Sequence, residues 1–97
     1  MGAGRNLPEC MDPKRAPEDA DAYAARINRG LGAEVRRRRE ALGLSAYALG
    51  KAGLVSDQTI LNIEQGTVVP LVSTLARICV RFGTTLPELV TAAEARG

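Results

Sequence analysis

Two carboxamides four residues apart, Gln58 and Asn62, share one face wherever that stretch is helical. A carboxamide sets a donor beside an acceptor, the pattern that pairs two ways with an adenine edge. Four consecutive arginines, Arg36, Arg37, Arg38 and Arg39, are the densest charge in the chain. On a helix they spread over about 300°, so they cannot all meet one partner. Catalytic chemistry has little to work with: histidine is absent, and Cys10 and Cys79 are the two cysteines. That removes the commonest general base and leaves too few soft ligands for a zinc site. With no phosphate loop and no paired carboxylates on one helix face, the chain reads as a non-enzyme that needs neither metal nor cofactor.

A small helical framework must position these residues. Ninety-seven residues predict one domain, which buries only about two-thirds of the surface its unfolded chain exposes. The aromatics are Tyr23, Tyr47 and Phe82, so the core is expected from Leu, Ile, Val and Ala, a composition that favours helices. Thirteen basic against eleven acidic side chains give a net charge of +2. Residues 1–30 carry five of each sign, so the whole excess falls in 31–97. No apolar run approaches the eighteen or so residues of a membrane span, and no secretory signal is read at the N-terminus. A cytoplasmic protein with reduced thiols and no membrane partner is expected.

Residues 1–17, where Pro8, Pro13 and Pro17 sit among mixed charges, predict a disordered tail. Tyr23, Ile27, Leu31 and Val35 recur every four residues and predict a first helix. It either runs from about Asp19 to Leu42 or breaks near Asn28 to Gly32, since Gly30 and Gly32 weaken it. Residues 18–30 are thereby set off as a helical N-terminal extension of a domain spanning 31–92. Ser45 predicts an N-cap for a short second helix carrying Ala48, Leu49 and Ala52 and ending near Gly53. Ser56 caps a third, Asp57 to Gln65, with Ile60 and Ile63 on one face and Gly66 closing it. Pro70 opens a fourth, with Val72, Leu75, Ile78, Cys79 and Phe82 at core spacing and Gly83 as its stop. Thr85 and Glu88 form a capping box for a fifth that carries Leu86, Leu89 and Val90.

The run Val35 to Ser45, then Leu49, Val55 to Gly66, Pro70, Leu75 and Gly83, resembles the helix-turn-helix family of the phage repressors and Cro. The resemblance covers Leu31 to Val90 without a gap. Its motifs fall on Gly43-Leu44-Ser45, Leu49-Gly50, Ile63-Glu64-Gln65-Gly66 and Pro70. It implies an all-α, five-helix fold of the lambda-repressor type, with a flexible N-terminal tail and a helical N-terminal extension. Two positions depart from the family pattern. Where the family places a phosphate-gripping Gln after the Ser that starts the second helix, this chain has Ala46, so one positioning contact is lost. The glycine of the turn falls where Leu54 stands, which predicts a tighter or shifted turn.

The resemblance assigns the third helix to a major groove, where Asp57, Gln58, Leu61 and Asn62 reach base edges. Gln58 and Asn62 suit adenine and Leu61 a thymine methyl, while Asp57 either accepts from a cytosine amino group or caps its helix. Ser45, Ser56, Gln65, Thr67 and Arg36 are candidates for phosphate contacts. Arg37 and Arg38 read as a solvated face. Arg39 is implied to pair with Glu64 and to brace the first helix against the third. The function implied is a sequence-specific transcriptional regulator, a homodimeric repressor that occupies a short operator on double-stranded DNA. The tail, the Tyr23/Ile27 arm or the fifth helix is expected to supply the dimer surface. The competing expectation is an antitoxin or adaptor of the same fold that acts mainly through a protein partner.

Overall fold

The computed structural model describes residues 19–96; the tail read at 1–17, and Cys10 within it, lie outside the described residues. Five helices follow in chain order: α1 Ala20–Ala41, α2 Ala46–Ala52, α3 Asp57–Gln65, α4 Val72–Phe82 and α5 Leu86–Arg96. No strand occurs among the described residues, and the fold is all-α. No helix of these residues is long and apolar enough to cross a membrane.

Asp19 starts α1 by accepting the Ala22 N–H at 2.8 Å, which satisfies one of the donors a helix N-terminus leaves open. The helix then runs without a break through Gly30 and Gly32. These glycines are notches. A β-carbon at Gly30 would fall on the Ala93 carbonyl of α5, and one at Gly32 on the carbonyls of Ile63 and Glu64 in α3. What glycine costs in helix propensity is offset by the close approach of two other helices to nearly opposite faces of α1.

Two apolar clusters meet across α4. Leu31, Leu75, Cys79, Leu89 and Ala93 join α1, α4 and α5, with Ile27 and Leu86 packed against them. Val35, Leu49, Ile60, Ile63 and Ile78 join α1, α2, α3 and α4. Each fully buried aliphatic side chain contributes roughly 1.5–3 kcal/mol, so the second cluster alone fixes α3 firmly on its scaffold. Burial pushes the Cys79 thiol above its ordinary pKa, which keeps it in the unreactive protonated form.

Three expectations are corrected. Pro70 does not open α4, because Leu71 stays extended at ψ 149° and serves as the N-cap, so the helix begins at Val72. Val72 is outside the core, being one turn before the stripe set by Leu75, Ile78 and Cys79. In α5 the buried pair is Leu89 and Ala93, four apart, and Val90 lies beside that stripe and remains exposed.

The extension and α5 cover one another. The Tyr23 hydroxyl donates to Glu94 Oε2 at 3.1 Å, an Arg26 guanidinium N–H donates to the Glu94 carbonyl at 3.3 Å, and Ile27 packs into the first cluster. Deeper along α1, Glu34 is only 2% exposed and accepts from three arginines. Arg37 and Arg38 reach Oε2 at 2.7 Å each, and Arg96 of α5 reaches Oε1 at 2.6 Å. The expected solvated face at Arg37 and Arg38 is thus an ion cluster. Hydrogen bonds from Arg37, set against desolvation and aided by Arg96 and Arg38, lower the Glu34 pKa from 4.5 to about 2. A folded-state pKa below the unfolded one adds stability that is complete above pH 4.5 and disappears as pH falls through about 2. Because the arginines are partly solvated, the contribution is on the order of 2 kcal/mol. Urea melts between pH 5 and pH 2 should show this loss, and Glu34→Gln should flatten that part of the profile; parallel profiles would contradict the assignment.

Candidate nucleic-acid interface

A short helix, a tight turn and a second short helix form one unit. Ser45 accepts the Ala48 N–H at 3.0 Å and starts α2, and Ser56 accepts the Thr59 N–H at 3.1 Å and starts α3. Between them the Val55 N–H donates to the Gly50 carbonyl at 2.7 Å, folding α3 back onto α2. A β-carbon at Gly50 would meet the Val55 carbonyl, so this crossing needs glycine there.

Leu54 adopts φ +60°, the left-handed conformation for which the family uses glycine, and its side chain is 82% exposed. The chain pays this strain because Val55 and Ser56 beyond it are tied into α2 and α3. Leu54→Gly should therefore raise stability by about 1 kcal/mol, since a left-handed residue with a β-carbon costs roughly 1–2 kcal/mol and glycine gives back part of that as chain entropy. Thermal melts check this, and an unchanged or lower midpoint would contradict it.

Ile60 and Ile63 of α3 are buried, which leaves Asp57, Gln58, Leu61, Asn62 and Gln65 on the outer side. Gln58 Nε2 donates to Asn62 Oδ1 at 2.9 Å. That bond fixes the Gln58 carboxamide and leaves its Oε1 and one N–H for a ligand, the pair an adenine edge requires. Leu61 and Asn62 are half-buried, so the outer face is shaped and not freely mobile. Asp57 Oδ1 accepts the Gln58 N–H at 2.9 Å, but the N-cap of α3 is Ser56.

Of the phosphate candidates, Ser45 and Ser56 use their hydroxyls as caps. Thr67 donates to the Asn62 carbonyl at 3.2 Å, and Gln65 is exposed. Arg36 Nε donates to Glu40 Oε2 at 3.1 Å, both side chains being well exposed. It stands about 60° round α1 from Arg39, on the side that meets α3. Arg39 and Glu64 form a two-pronged pair, Nε to Oε2 at 2.6 Å and a terminal nitrogen to Oε1 at 3.0 Å. Arg39 also donates to the Leu44 carbonyl at 2.9 Å, tying α1, α3 and the α1–α2 connection at one point.

Each arginine of the 36–39 run therefore has a carboxylate partner. Arg29, Lys51, Arg77 and Arg81 have none among the described residues. Arg29 escaped sequence analysis. Its backbone lies against Gly66, which places an exposed cation beside the C-terminal end of α3. Nothing in the sequence marks it, because the two are 37 positions apart and contact arises only when α1 crosses α3. Among the described residues no group of His, Cys, Asp or Glu is arranged to hold a metal ion.

A family model described as a helix-turn-helix domain matches residues 30–92. The chain is similar in structure to the clp gene regulator ClgR from Corynebacterium glutamicum. One crystal structure of that protein matches with TM-score 0.68 and 25% identity over 71% of this chain and 73% of the other. A second matches with TM-score 0.68 and 24% identity over 84% of this chain and 97% of the other. Curated protein sequences give no significant match.

Proposed function

The chain belongs to the helix-turn-helix domain family and is a DNA-binding transcriptional regulator; on that premise we propose that it is a homodimeric repressor reading a short operator through α3. The observation that carries this proposal is the outer face of α3. Gln58, pre-set by Asn62, stands beside Leu61 on a helix whose inner face is locked by Ile60 and Ile63. Such a face offers hydrogen bonds and an apolar contact to base edges without reorganising on binding, which preserves affinity. One α3 reads only a few base pairs, so two copies on a two-fold axis supply the selectivity an operator needs. In this proposal Asp57 adds a cytosine contact, while Ser45, Ser56, Gln65, Thr67 and Arg36 hold phosphates, with Arg29 beside them. Occupancy of the operator is itself the repressing act.

Base contacts and phosphate contacts separate in salt titrations. Arg36→Ala should weaken all sequences alike and reduce the log–log salt slope by about one, because one fewer counterion is released. Gln58→Ala should keep the slope, cost on the order of 1–3 kcal/mol on the preferred site and relax preference at one base pair in each half-site. Equal weakening on preferred and random duplexes would show that Gln58 does not read bases.

A further inference from the structure

The turn between α2 and α3 meets α4 in a shallow groove lined by Ala52, Gly53, Leu54, Arg77 and Val80. Its volume of about 190 Å³ falls short of the roughly 300–1,000 Å³ of a small-molecule site, but it seats one aliphatic side chain. Leu54 and Val80 are its apolar walls, 82% and 81% exposed. Arg81 follows Arg77 by one turn of α4, and Lys51 precedes Ala52 in α2. Among the described residues none of these three cations has a carboxylate partner, and no acidic side chain lines the groove. The arginines of α1, by contrast, are paired from Arg36 to Arg39.

Leu54 is a second, independent sign that this surface is used. The ties on Val55 and Ser56 account for the left-handed backbone but not for leucine, because glycine fills that conformation without a β-carbon penalty. Burial does not repay the strain either, since the side chain stands in solvent. A strained residue held with its apolar side chain exposed points to a use at the surface.

We propose that the groove docks an acidic amphipathic segment of a partner protein, with one aliphatic side chain seated between Leu54 and Val80 and carboxylates on Arg77 and Arg81. The apolar walls supply the anchor, and cations with no counter-charge select the sign of what surrounds it. Arg77 and Arg81 are about 6 Å apart along α4, so carboxylates four residues apart on a partner helix match their spacing. A second copy is the poorer occupant, because the same patch would bring three like charges against these three. Duplex DNA lies elsewhere. Ile78 packs with Ile60 and Ile63 of α3, and Val80, two residues on, points about 160° away from that side. The docking wall is thus turned from the outer face of α3, and partner and duplex are held together. This assignment requires neither the dimer nor the operator proposed above.

Fluorescence polarisation with the full chain tests it. The probes are a labelled helical peptide with a leucine face flanked by glutamates and its counterpart with lysine at each glutamate. The glutamate peptide should bind at least ~10-fold tighter than the lysine one, and more weakly as salt rises. Leu54→Gly should lower that affinity ~10-fold although its melting midpoint rises, a combination that a merely structural role does not produce. Arg77→Ala with Arg81→Ala should lower it at least ~10-fold, with the log–log salt slope for duplex DNA unchanged. Equal affinity for the two peptides, or undiminished affinity in Leu54→Gly, overturns the assignment. A DNA salt slope that falls by about one for each arginine removed overturns it in favour of phosphates. Self-association of the chain that Leu54→Gly abolishes overturns it in favour of a second copy.

Discussion

Arg39→Ala is expected to lower stability by about 3 kcal/mol and the melting temperature by ~15 °C. Glu64 is only 5% and Arg39 13% exposed, so removing the guanidinium leaves a carboxylate buried with no counter-charge. It also strips the Leu44 carbonyl of a donor. A domain of this size has only about 5–15 kcal/mol in total, so the variant sits close to its threshold. Affinity for DNA should fall as well, through a misplaced α3. Because the cost is that of an orphaned charge, replacing both partners with apolar residues of similar volume, Arg39→Met with Glu64→Leu, should recover most of the stability. Chemical denaturation of the single and double variants checks this. If Arg39→Ala binds DNA poorly at undiminished stability, Arg39 is a DNA contact and not a brace.

Gly32→Ala should be comparably severe. Its β-carbon would fall on two backbone carbonyls, those of Ile63 and Glu64, and neither can move without displacing α3. Alanine contributes up to about 1 kcal/mol of helix propensity at this position, yet backbone overpacking outweighs it, for a net loss of about 3 kcal/mol. The variant should keep its helix content while the α1–α3 seam opens, so affinity for DNA should drop with stability. Denaturation midpoints and DNA titrations on one preparation check both. A variant as stable as the parent would mean that α1 does not pack so closely on α3.

Much of this was legible in the sequence because local signals agreed. Ser45, Ser56 and Gly66 announce the ends of α2 and α3, and Ile60 with Ile63 announces which side of α3 is inward; the structure has each in that place. What stayed hidden depends on distant crossings. Gly30 and Gly32 look like weaknesses until α5 and α3 are laid against them. Glu34 looks like one more surface acid in a charged helix, and only the return of α5 brings Arg96 to it and buries it. Leu54 was marked as standing at the turn's glycine position, but that leucine would keep a left-handed conformation there stayed hidden, since propensity argues against it and tertiary ties override propensity. Val72 fitted the core spacing, three residues before Leu75 and seven before Cys79, but the extended Pro70-Leu71 pair delays the helix and leaves that side chain outside.

Sequence-specific DNA binding through α3 is the central claim, and selection of bound duplexes from a random pool tests it most directly. The chain should enrich an inverted repeat whose half-site centres lie about 34 Å apart, one helical turn, with an adenine contact in each half-site that Gln58→Ala erases. A pool that emerges with no enriched sequence, from a protein shown to be folded, would contradict it.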